Sequence, residues 1–331
     1  MKEKVQKRSE LLVSNRDLIH KGFMFENGLI TTVAAATFTE KDKVADAEHM
    51  KECRKLLRDR KGAFSELRGN NELVVSAKMA VSENPEKFLD ELIEVYEKFN
   101  KGKFFGSSYK VMASMTIVST GKAAEADNII EKTDAIIKGM KSQHPFLTSD
   151  EDICIAVLLA MTDKDTEDIL AELEETFQSV KKSFAFHENA AYSLAQVLTT
   201  YGGECSEKVE KVLSFFDAFK EAGEKYGKDY ELASLGTLID IDADRDELVS
   251  EVIEVAKYLK GQKGFETFDM NKYTRLMFGA MIISGVYSDD NLKNSASVLG
   301  GTLAEVIAQE TAMLVAIIAA TTVTSTTSSN G

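Results

Sequence analysis

Five carboxylates, Asp240, Asp242, Asp244, Asp246 and Glu251, fall at positions one, three, five, seven and twelve of a possible calcium loop. In that spacing, oxygen ligands can wrap a hard divalent ion. Arg245 stands where the loop needs glycine for its sharp turn, and Glu247 replaces the usual apolar residue. An acidic turn capping a helix around Val249 accounts for the same residues, because carboxylates favour the positive end of a helix dipole. No metal is expected, and calcium is kept as the alternative.

The other reactive side chains are scattered. His20, His49, His144 and His187 have no second histidine or cysteine at chelating distance, so no zinc site is expected. Cys53 lies beside Arg54 and Lys55, which could favour a thiolate, but Met50, Cys53 and Leu57 share one helical face and read as core. Lys51, Arg54, Lys55, Arg58, Arg60 and Lys61 could receive a phosphate group. The interleaved Glu52 and Asp59 and the lack of aromatic stacking partners favour a solvated helix face instead. No glycine-rich phosphate loop, nucleophile elbow or kinase signature is present, so neither a catalytic residue nor a cofactor is expected.

The elements that would position any site repeat along the chain. From Gly69 onward an apolar helix rich in small residues alternates with a longer amphipathic helix. Ala77, Ala113, Ala156, Ala195 and Ala233 follow at intervals of about 36, 43, 39 and 38 residues, the period of helical hairpins. The amphipathic partners carry apolar stripes at spacings of three and four, such as Phe88, Leu92, Val95 and Phe99, or Ile169, Leu173, Phe177 and Val180. One hairpin cannot bury such a stripe, so the pattern predicts an all-α fold of stacked antiparallel hairpins resembling an α-solenoid. Residues 1–68 are expected to form an N-terminal helical cap, 69–311 the array, and 312–331 an apolar helix end with a frayed threonine and serine tail.

The turns agree with this reading. Asn84 before Pro85 makes an N-cap with proline at the first helical position. Thr148 with Glu151, and Asp244 with Glu247, are spaced as capping boxes. Strand alternation is nearly absent, and only two prolines occur.

Charge narrows the partners. The chain carries a net charge of -14, and the positive excess lies within residues 1–68, leaving an acidic array unsuited to nucleic acid. Three cysteines, odd in number and far apart, suit a reducing cytoplasm. Ala312 to Ala320 is uninterrupted apolar sequence, but a membrane span needs about 20 such residues, so a buried closing helix is expected and membrane contact is not.

Local strings carry a resemblance. Asn15-Arg16, Phe38-Thr39, Glu52-Cys53, Phe64-Ser65, Arg68-Gly69-Asn70, Asn84-Pro85-Glu86, the run from His144 to Ser149, and Ser193-Leu194-Ala195 with Val197-Leu198 together resemble domain-of-unknown-function family 4003. That family is largely bacterial, and the resemblance extends over nearly the whole chain. It implies a cytoplasmic bacterial origin and brings no activity, substrate or catalytic residue.

Three functions remain open at this level. The leading expectation is a non-enzymatic scaffold for an unknown protein or peptide, since stacked hairpins present long surfaces. An enzyme or small-ligand binder with a site in the concave face or cap cleft is the alternative, and a deep pocket would favour it. A membrane-associated or oligomeric role for the C-terminal helix is the third. Arg68, Asn70, His144, Asp150 and Asn189 are the candidate binding residues. They lie at or beside the starts of the small-residue helices, where free amides suit an anionic group.

Overall fold

The computed structural model describes residues 1–62, 65–101, 106–267 and 270–291, with side chains through residue 287. Among these residues the chain is helical throughout, without strand. Residues 292–331, including the expected apolar end at 312–331, lie outside the described residues.

Two kinds of helix alternate, and their composition explains the difference. The amphipathic set comprises α1 (Glu3–Gly22), α3 (Ala47–Arg60), α5 (Pro85–Asn100), α7 (Ala126–Gln143), α9 (Thr166–Val180), α11 (Cys205–Glu221) and α12 (Arg245–Lys260). Each buries one main face; in α5 that face is Phe88, Leu89, Leu92, Val95 and Phe99. The second set comprises α2 (Gly28–Glu40), α4 (Glu72–Val81), α6 (Ser108–Ser119), α8 (Ile153–Ala160), α10 (Glu188–Thr199), a 3-10 segment at Leu232–Leu238, and α13 (Lys272–Asn291). These elements are buried over most of their circumference, as in α2, where every residue from Ile30 to Thr39 is buried. A helix apolar all round must sit inside. The first set therefore forms an outer layer and the second an inner one.

The inner helices also bury hydroxyls, several of which are paired within their own helix. Thr39, Ser76, Ser114 and Thr199 each donate to the carbonyl four residues back, at 2.7 to 2.9 Å.

Neighbours pack in sequence order. Each outer helix from α1 to α9 packs along the inner helix that follows it, α11 meets the 3-10 segment, and α12 lies along α13. The closest pairings thus run from amphipathic helix to small-residue helix, one step out of phase with the unit read from the sequence. The pair of α3 and α4 spans residue 68. Outer helices contact their outer neighbours from α1 to α12, and α12 meets α1 again. The first helix therefore joins the two ends of the layer.

That join is dense. The Met1 amino group pairs with Glu254, and Lys2 pairs with Glu247 at 2.8 Å and with Glu251 at 3.2 Å. Arg16, almost fully buried, donates to Thr32 and to the Lys263 carbonyl, and lies over the Phe265 ring. Gly264, at φ +82°, faces that guanidinium so closely that a Cβ would collide with it.

One turn expectation holds in detail, one holds for half of its capping box, and one shifts. Asn84 accepts from the Lys87 amide, and Asp244 accepts from the Glu247 amide at 2.9 Å. Before α8 the reciprocal contact lies one residue later than Thr148 and Glu151: the Ser149 amide donates to Asp152 at 2.7 Å. Thr148 is drawn into the core beside Tyr192 instead.

The repeated alanines Ala77, Ala113, Ala156, Ala195 and Ala233 are all buried. Ala113→Leu and Ala156→Leu are each expected to destabilise by about 1 to 3 kcal/mol through overpacking. Urea denaturation measures this, and unchanged midpoints would place both positions away from tight helix contacts.

Candidate functional site

The starts of three inner elements surround a cavity of about 600 Å³. The turn into α8 contributes Leu147, Glu151, Asp152 and Ile155. The start of α10 contributes residues 185–190 and Ser193, and the approach to the 3-10 segment contributes Asp229, Tyr230 and Ala233. Short connections between outer and inner helices hold these groups side by side, because α8, α10 and the 3-10 segment are inner neighbours.

The lining is acidic and aromatic. Glu151, Asp152, Glu188 and Asp229 supply carboxylates, and among the described residues no lysine or arginine lines the cavity. His187 Nδ1 is hydrogen-bonded to Asp229 at 2.9 Å. Phe186 is 98% exposed and Tyr230 46%, so one aromatic residue of the lining stands free in solvent and a second is about half covered. Phe25 and Phe146, in the connections leading into α2 and α8, are 99% and 97% exposed.

Beneath the cavity lies a polar layer. Asp152 accepts from the Ser149 amide and from the Gln196 side-chain amide at 2.6 Å. Burial, only partly offset by these donors, pushes its carboxyl from 3.8 up to about 6. Burial likewise raises Glu151. Nearby, His144 Nε2 meets Glu174 at 2.5 Å, and its ring stands edge-on to Phe177 and Tyr192 at 5.0 and 5.3 Å.

A raised carboxyl has a definite linkage sign. Between 3.8 and about 6 the folded chain holds the Asp152 proton more tightly than the unfolded chain, so this group's contribution falls as pH rises through that window. Asp152→Asn is expected to remove that dependence. Subtracting the variant's unfolding free energies from those of wild type across the window checks it, and a flat or rising difference would contradict the assignment.

The structure gathers only part of the residue set read from the sequence. Asn189 lines the cavity, and Asp150 is exposed in the 3-10 turn that carries Glu151 and Asp152. His144 sits below the same turn, against Tyr192. Arg68 and Asn70 lie apart, at the start of α4. Arg68 pairs there with Glu72 at 3.3 Å, and Asn70 is exposed. The anionic occupant expected at this edge meets four carboxylates at the cavity and no matching cation.

Glu151, Asp152, Phe186, His187, Glu188, Asp229 and Tyr230 were not singled out as site residues from the sequence. The available signal was acid and aromatic side chains recurring just before consecutive small-residue helices. Capping offered a sufficient account of the acids, and nothing local gave the distance between successive turns.

Other candidates are occupied by internal contacts. Each member of the basic stretch has an acidic partner: Lys51 with Glu48, Arg54 with Glu26 and Glu72, Lys55 with Asp59, Arg58 with Glu72, Arg60 with Asp90, and Lys61 with Glu97. Burial pushes the Cys53 thiol up to about 11, opposite to what a nucleophile needs. In the acidic turn, Asp244 caps α12, Asp246 pairs with Arg245, and Glu251 is bound by Lys2 and Tyr287. Among the described residues no three histidine, cysteine or acidic side chains come together as a metal site. No helix there is long and apolar enough to cross a membrane.

No curated protein and no solved structure matches the chain. The family model described as "Protein of unknown function (DUF4003)" matches residues 16–320, nearly the full length, and the chain belongs to that family.

Proposed function

We propose that this protein is a non-enzymatic binding scaffold, built of repeated helical hairpins stacked as a solenoid whose ends meet, and that it anchors a side chain of a partner peptide in the cavity before α8 and α10. The observation carrying this reading is the cavity with Phe186 and Tyr230 exposed at its opening. Exposed rings beside a concave site fit anchor-type recognition, where a few aromatic contacts dominate affinity. The free state of all three cysteines supports placement in a reducing bacterial cytoplasm.

Selection from a random peptide library on the intact chain tests the proposal. Enriched peptides should lose roughly tenfold or more in affinity for Phe186→Ser, while the thermal midpoint stays unchanged because the ring makes no core contact. Peptides that bind wild type and variant equally would overturn it.

A small-molecule site is the second reading. The cavity volume of about 600 Å³ suits one, and the raised Glu151 and Asp152 mark an environment in which proton transfer can be tuned.

A further inference from the structure

We propose that the end of the molecule where the inner helices begin seats on an anionic lipid surface, with exposed phenylalanine rings in the headgroup boundary. This goes beyond the peptide reading and does not rest on it, because Phe25 and Phe146 lie outside the cavity lining. Contact of this kind needs no spanning helix.

The first observation is where the chain leaves phenylalanine in solvent. Phe25, Phe146 and Phe186 are almost wholly exposed, whereas every other phenylalanine among the described residues is buried or partly buried. All three occupy the same place in the repeat, the connection from an outer helix into an inner one. Met24, also exposed, stands beside the first.

Contacts put these connections on one end of the molecule. Arg54 ties Glu26, next to Phe25, to Glu72 at the start of α4. The starts of α4 and α6 meet at Asn71 and Ser108, those of α6 and α8 at Tyr109 and Cys154, and α8 and α10 share the cavity. Exposed apolar groups gathered in this way mark contact with another body. Each ring is free on nearly all sides, so no groove surrounds it to receive a partner's side chain. A lipid interface takes up separate rings without matching pockets.

Charge supplies the second observation and selects the surface. In the sequence, the stretches from the last four residues of each outer helix through the first four of the next inner element hold 20 lysines and arginines against 15 aspartates and glutamates. The stretches leading from inner to outer helices, bounded in the same way, hold 8 against 19. The carboxylates of the cavity are already within the first sum. A chain of net charge -14 is thus positive at its phenylalanine-bearing end and strongly acidic at the other. Anionic headgroups attract lysine and arginine held close to them and repel the acidic end, and salt screens both effects within a Debye length. Rings and charge therefore favour the same orientation.

Sedimentation of the full chain at low salt with vesicles of equal parts phosphatidylglycerol and phosphatidylcholine tests the proposal. The chain should bind these vesicles, bind phosphatidylcholine alone far more weakly, and be released by added salt. Phe25→Ser/Phe146→Ser should weaken binding roughly tenfold or more, with the thermal midpoint unchanged because both rings stand in solvent. Lys182→Glu/Lys225→Glu, at two exposed positions of the same end, should weaken it by a similar factor. No binding to the anionic vesicles, binding indifferent to lipid charge, or equal binding by wild type and the phenylalanine variant would overturn the proposal. Light scattering provides the other decisive outcome. A dimer lost in Phe25→Ser/Phe146→Ser, with no vesicle binding by either chain, would assign this end to a second copy and overturn the lipid contact. That variant leaves the cavity and Phe186 intact, so its loss of lipid binding and the loss of peptide binding in Phe186→Ser are separate results.

Discussion

Removing residues 1–22 is expected to abolish the cooperative fold, because α1 packs against α2, α3, α12 and α13. Loss of a terminal hairpin from an open array exposes one interface, and the remaining units can stay folded. Here the same loss would uncover inner and outer surfaces at both ends of the chain. Val5, Leu12 and Ile19 are fully buried along α1, and Asn15 satisfies the Ala45 amide and the Lys43 carbonyl inside the structure. Leu12→Ala gives the same test without deletion and is expected to cost about 2 to 5 kcal/mol. Circular dichroism with urea titration measures both. A truncated chain with a steep transition near the wild-type midpoint would show that the join contributes little.

Glu72→Ala is expected to destabilise by about 3 kcal/mol, the scale of removing one partner from a buried ionic cluster. Glu72 is 5% exposed and accepts from Arg54, Arg58 and Arg68, which come together from α3 and the turn before α4. Without it, three guanidinium groups converge and, among the described residues, Glu26 remains as a carboxylate partner, paired to Arg54 at 2.5 Å. Glu72→Gln should cost nearly as much, since it keeps the shape but removes the charge.

The same cluster gives a pH signature. Burial works to raise the Glu72 carboxyl, but hydrogen bonds and charge from Arg58 and Arg54 prevail and hold it at about 2, against an ordinary 4.5. Its contribution is therefore complete above 4.5 and is lost as pH falls from there toward about 2. Acid titration of wild type and Glu72→Gln should diverge above 4.5 and converge below it. A stability change under about 1 kcal/mol on Glu72→Ala would sink the assignment.

Much of the helix pattern was legible in the residues. The stripes Phe88, Leu92, Val95 and Phe99, and Ile169, Leu173, Phe177 and Val180, are buried as their spacing requires. Spacings of three and four from Val209 and Val212 would place Phe216 and Phe219 on the buried face of α11, yet Phe216 is only partly buried and its neighbour Phe215 takes the core position. One residue of helix phase separates the two, and packing chooses between them.

The basic run from Lys51 to Lys61 shows where sequence could not go further. Its charge was visible, but Glu26, Glu72, Asp90 and Glu97 come from other elements and convert a possible anion surface into paired ions. The candidate edge residues divided for the same reason. Asn189 and the Asp150 turn share the cavity region, while Arg68 is spent on Glu72.

Sequence by itself determined the helices, their two classes, the caps at Asn84 and Asp244, and the burial of the repeated small residues. Each follows from interactions within a few turns of chain: backbone hydrogen bonds, side-chain periodicity and the orphan amides of helix starts. Tertiary structure alone decided which helix of each pair packs most closely, the meeting of α1 with α12 and α13, and the sign of charge in the cavity. Those depend on contacts between residues far apart in the chain, such as that of Arg16 with the Lys263 carbonyl 247 residues away. No local spacing records such contacts.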